Sequence, residues 1–80
     1  MTGKARAAMR KIFQETAARH GLSEADLYVR DRRSSYAIAR HDAWDKCCKA
    51  GFTRADIVLL GGWDWTTVDH GVKQHRARPK

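Results

Sequence analysis

Met9, Ile12, Phe13, Thr16 and Ala17 recur three and four positions apart, and Gly21 follows where a left-handed helix end is expected. The spacing predicts a first helix over about 5–20. Ser23-Glu24-Ala25-Asp26 then has the form of a capping box, with the Ser hydroxyl placed to accept from a free backbone N–H and Leu22 placed to staple onto Leu27. It predicts a short helix over about 24–29. Residues 29–35 carry charge and serine without apolar periodicity, which reads as a basic loop. Ser34 or Ser35 is placed to cap a third helix of about 36–49, whose Ala37, Ile38, His41, Trp44 and Cys48 fall near one face, with Gly51 closing it. Thr53-Arg54-Ala55-Asp56 opens a short apolar helix over about 54–60, ended by Gly61-Gly62. After a tight turn through Trp63, Asp64 is placed to cap a last helix of about 65–75, followed by a basic tail, 76–80. No strand pattern competes. The expectation is one small all-α domain over 1–80 that ends in a helix-turn-helix.

Charge changes this picture more than composition does. Sixteen Lys and Arg against nine Asp and Glu give a net charge of +7. That surplus speaks to partners, either nucleic acid or an anionic surface, rather than to fold. It falls in three basic segments, 1–22, 30–40 and 73–80, separated by two mildly acidic ones. The longest run of large apolar residues, Ile57-Val58-Leu59-Leu60, is far short of the ~18 needed to span a bilayer. A membrane-surface role is disfavoured as well, because Met9, Ile12 and Phe13 are all needed for the core. Met1 opens the chain and no expression tag is visible, so we expect a complete small protein of the cytoplasm, associated with the nucleoid.

Candidate chemistry is sparse. Adjacent Cys47 and Cys48 fit neither a disulfide framework nor a C-x-x-C site, and read as reduced helical residues with at least one in the core. His20, His41, His70 and His75 contain no pair at the i, i+4 spacing of helical zinc sites, so no metal is expected. No nucleophile–base pair, phosphate loop or carboxylate cluster appears. We expect neither an enzyme nor a cofactor.

The last helix divides into two faces. Val68, Gly71, Val72 and His75 share one, suited to packing on the helix before it; Thr66, Asp69, His70 and Lys73 share the opposite one. The second face is polar and short-chained near its start and basic further along. A recognition helix has this form, and so does an ordinary amphipathic surface helix.

Gly61-Gly62-Trp63-Asp64-Trp65-Thr66-Thr67-Val68-Asp69-His70 resembles the Gly-Gly-Arg-Asp-His-Thr-Thr-Val-x-His signature of the C-terminal DNA-binding domain (domain IV) of the bacterial replication initiator DnaA. Ala25-Asp26-Leu27, then Arg30-x-Arg32-Arg33-Ser34 and Ala39-Arg40, is similar to that family's Ala-Asp-Leu and basic loop, in register through nearly the whole chain. The resemblance implies a helical domain of Trp-repressor-like type, binding duplex DNA. It implies that Arg32, with Arg33 beside it, enters the minor groove, which suits a guanidinium in narrow A·T-rich DNA. It places Asp64, Trp65 and Thr66 at the major groove, with Asp69 and His70 on the same face. Thr67 and Arg40 match backbone-contacting positions, and Arg30, Lys73 and Lys46 or Lys49 complete the expected phosphate contacts.

Two departures bear on the target. Trp63 stands where the family has a basic residue, and Trp65 replaces the histidine of the Asp-His-Thr-Thr run. Indole offers one donor and a broad apolar face, suited to a thymine methyl or a sugar rather than to imidazole's hydrogen bonds. Trp65 also lies only about 20° from Val72 on the wheel, so core edge and groove remain equal alternatives for it. Asp64 has a purely structural alternative as a helix cap, Trp63 reads more readily as a turn aromatic covering the core, and Trp44 reads as core. The expected function is sequence-specific duplex-DNA binding by a small transcriptional or replication-control regulator, of phage or mobile-element type. The alternatives are a non-specific nucleic-acid-binding protein, or a module recruiting RNA polymerase or a replication protein, for which an exposed Trp63 is the best support.

Overall fold

The structure is a computed structural model that describes residues 2–29 and 34–78. Five helices follow in order: α1 (Gly3–Arg19), α2 (Glu24–Tyr28), α3 (Ser34–Lys49), α4 (Arg54–Gly61) and α5 (Trp65–Ala77), with no strand among the described residues. Local chemistry sets most ends. Thr2 caps α1 by accepting from the Ala5 N–H at 3.1 Å. At α4, Thr53 Oγ1 accepts from the Asp56 N–H at 3.2 Å while Asp56 accepts from the Thr53 N–H at 3.0 Å, so both halves of the capping box form. At α2 a capping box likewise joins Ser23 and Asp26. The Ser23 N–H and hydroxyl both donate to Asp26, at 2.9 and 3.1 Å, because the carboxylate is the stronger acceptor within reach.

The core is centred on α3, which packs against α1, α2, α4 and α5. Met9, Phe13 and Ala17 from α1, Leu27 from α2, Ala39, Ala43, Trp44 and Cys47 from α3, Ile57 and Leu60 from α4, and Val68 and Val72 from α5 fill it. This corrects the expected face of α3. Cys47 rather than Cys48 is fully buried, and Ile38 is exposed, because a helix enclosed by several neighbours buries a wider arc than one amphipathic stripe. Ser34 and Ser35 lie inside α3 rather than capping it, and α5 runs two residues further than expected, taking Arg76 and Ala77 from the presumed tail.

An aromatic stack ties the first helix to the turn before α5. Phe13, Tyr28 and Trp63 stack on one another with centroids 5.5 to 5.9 Å apart, and Trp44 meets Trp63 edge-on at 5.1 Å. Trp63 is 8% exposed, so it covers the core as a turn aromatic and is not the exposed side chain that a recruiting module would present. Gly62 makes this possible. Its backbone is left-handed at φ 71°, and its N–H closes α4 on the Val58 carbonyl at 2.8 Å, turning Trp63 inward across Gly61, where a Cβ would overlap the indole.

A candidate nucleic-acid interface on α5

Asp64 ends the three-residue turn and caps α5, its carboxylate accepting from the Thr66 N–H at 3.2 Å. The buried face of α5 consists of Val68, Gly71 and Val72. Gly71 lies directly against α3: a Cβ there would stand 2.6 Å from Trp44 Cε3 and 2.7 Å from His41 Cδ2. This contact fixes the rotation of α5 and directs Trp65, Thr66, Thr67, His70, Lys73 and Gln74 to the surface, where all six are exposed. Trp65 is 52% exposed, which decides between its two alternatives: it is a surface residue, not the edge of the core.

Asp69 is the exception on that face. It lies between Arg54 of α4, with Nε 2.6 Å from Oδ1, and Lys73 one turn on, with Nζ 2.9 Å from Oδ2. The hydrogen bond from Lys73 and both positive charges hold its carboxyl below the usual carboxylate range. An ionised Asp69 therefore joins α4 to α5 and tempers two cations beside the exposed start of α5.

The remaining expected contacts are dispersed. Arg40 is half-buried and donates from Nε to the Leu27 carbonyl at 3.0 Å and from Nη2 to the Val29 carbonyl at 2.7 Å, pinning the end of α2 to α3. Lys46 pairs with Asp42, and Lys49 with Asp45 at 3.1 Å. Arg30, Arg32 and Arg33 lie outside the described residues.

Sequence reasoning missed a buried ionic cluster between α3, α5 and His20 at the C-terminal cap of α1. Asp42 also meets His20 Nε2 at 2.8 Å and His75 Nε2 at 3.4 Å, and Asp45, 1% exposed, accepts from Arg76 Nε at 2.7 Å. Burial opposes the ionisation of both carboxyls, but the hydrogen bonds from Lys46 and His20, and from Arg76 and Lys49, outweigh it and hold both below the ordinary range. No periodicity marks these residues, because a lone aspartate on a helix reads as solvated.

The pairing leaves a pattern in the charge. Glu24, Asp42, Asp45 and Asp69 are neutralised by ion pairs, while Asp26, Asp56 and Asp64 are engaged at helix starts. Lys4, Arg6, Lys11 and Arg19 of α1 make no ion pair among the described residues, and Glu15, likewise unpaired, offsets only one of them, so much of the uncompensated positive charge lies on that helix. Among the described residues, no group of three or more His, Cys, Asp or Glu side chains is placed to hold a metal ion, and no helix is long and apolar enough to cross a membrane. Comparison with protein-family models, curated proteins and solved structures finds no match to this chain.

Proposed function

We propose that this domain binds duplex DNA sequence-specifically, as a small regulator of transcription or replication on the nucleoid, with α4 and α5 as a helix-turn-helix and the start of α5 in the major groove. The observation that carries the reading is the division of α5. One face is locked on Trp44 through Gly71, and the other presents Trp65, Thr66, Thr67, His70 and Lys73 to solvent from a capped first turn. A helix about 10–12 Å across fits a major groove about 12 Å wide, and base edges are read from the first turns of such a helix. Thr66 supplies a hydroxyl and a methyl, and Trp65 an apolar face suited to a thymine methyl or a sugar. The resemblance to the DnaA domain adds Arg32 and Arg33 as minor-groove residues and Arg30 as a phosphate contact. The uncompensated cations of α1 supply sequence-independent attraction to the phosphates. The competing protein-recruitment reading, by way of the first helix and basic tail, loses its best support, because Trp63 is buried.

Selection of bound duplexes from a random library at about 150 mM salt tests this, since non-specific electrostatic binding is already weakened there. The expected result is one enriched major-groove segment beside an A·T-rich minor groove. Salt-sensitive binding without a motif would instead identify a non-specific nucleic-acid-binding protein, and no binding at all would overturn the reading.

A further inference from the structure

Beside the turn that leads into α5 lies an open cleft of about 250 Å3, lined by Arg6, Arg10, Tyr28 and Leu60. Arg6 and Arg10 are one turn apart on α1 and so project from the same side of that helix. Arg10 is held in place: Nε donates to Glu24 Oε2 at 3.1 Å and Nη2 to Oε1 at 3.4 Å. Glu24 is itself fixed, accepting from Gln14 Nε2 at 3.0 Å and from the Tyr28 hydroxyl at 2.8 Å. The guanidinium is thereby oriented by one edge, and its other N–H groups remain available to a ligand. Arg6 is exposed and makes no ion pair among the described residues, so the cleft holds one positive charge more than Glu24 cancels. A small anion with several acceptor oxygens and a charge near −1 matches this combination.

Position narrows the choice of anion. Tyr28 lines the cleft and stacks at 5.9 Å on Trp63, which lies in the turn immediately before Asp64. Leu60, which also lines it, precedes that turn in α4. The cleft thus lies against the end of α4 that leads into the turn before α5, on the side where we place backbone flanking an occupied groove. We propose that Arg6 and Arg10 seat one phosphodiester of the bound duplex, extending the interface from α5 onto α1. This rests on the DNA-binding reading above.

The full chain and its selected duplex provide the test, with Arg6→Ala compared against Arg19→Ala. Arg19 carries the same charge on the same helix, about 20 Å away along its axis. Arg6→Ala should weaken matched and mismatched duplexes alike and lower the salt slope by about 1, with Arg19→Ala changing the slope by less. A scan of single neutral methylphosphonates should find one position outside the base-read segment that weakens wild type but has no further effect on Arg6→Ala. Equal slopes for the two variants, or a scan with no such position, would remove the seat and leave DNA binding standing. Arg6 Nε–H signals that move as far with millimolar inorganic phosphate as with duplex would assign the cleft to free anions and also overturn it. A wild-type chain that binds no duplex removes both proposals.

Discussion

Gly71 on α5 lies against the Trp44 indole on α3 so closely that a single added methyl group would overlap the ring. Trp44 is fully buried and hemmed in, with His41 at 5.3 Å and Trp63 edge-on at 5.1 Å, so the indole has little room to move. Gly71→Ala should therefore destabilise the domain by about 1–3 kcal/mol through overpacking, although alanine is the better helix former. Urea unfolding monitored by tryptophan fluorescence measures this. A variant as stable as wild type would show that α5 can slide on α3, and the fixed presentation of its outer face would no longer hold.

Trp65 and Thr66 separate reading from folding. Both are exposed, so Trp65→Ala and Thr66→Ala should each change stability by no more than about 0.5 kcal/mol. Thr66→Ala should cost about 1–3 kcal/mol of binding at particular base pairs, whereas Lys73→Ala should weaken all sequences alike. Paired thermal unfolding and competition binding distinguish the two effects. An unchanged preferred sequence and affinity in Thr66→Ala would falsify the recognition-helix assignment.

The two tryptophans flanking Asp64 show how far the chain was legible before its structure. All five helices could be placed, because capping residues and glycines mark their ends: Thr53 and Asp64 at starts, and Gly21, Gly51 and Gly62 at positive φ after ends. The fate of Trp63 was legible only in part, and that of Trp65 not at all. One lies in a turn whose direction depends on the left-handed Gly62, and the other opens a helix near the boundary of its apolar face. A helical wheel resolves neither, since rotation is set by the Gly71 contact between elements distant in sequence. The arc buried on α3 was hidden for a similar reason, being set by how many helices surround it. Asp42 and Asp45 were invisible as a cluster because their partners come from the C-terminal cap of α1 and from α5 as well as from α3 itself.

Asp69 is expected to act on discrimination. Its carboxylate tempers Arg54 and Lys73 beside the exposed start of α5, and near the phosphates it adds repulsion that only well-matched contacts offset. Asp69→Asn should raise affinity for unrelated duplexes more than for the selected one and steepen the salt dependence. Titrations of matched and scrambled duplexes over a range of salt concentrations provide the comparison. A specificity ratio unchanged or increased would mean that Asp69 only joins α4 to α5.

His41 gives the domain an acid sensitivity of definite sign. Burial, followed by the nearby charges of Arg78, Arg40, His75 and His70, pushes its pKa down from 6.5 to about 4. Between those values the unfolded chain binds a proton that the folded chain does not, so the stability held above pH 6.5 declines as the pH falls toward 4. Asp42 and Asp45 act in the same direction at lower pH. Their folded-state pKa values are depressed, so the stability they contribute is present above the ordinary carboxylate range and is lost as the pH drops through their lowered values. His41→Leu, similar in volume and without a titrating nitrogen, should flatten the stability profile between about pH 4 and 6.5 and leave the steeper fall below it. Urea midpoints at half-unit pH steps resolve the two regions, and an unflattened profile in His41→Leu would place the upper titration on another group.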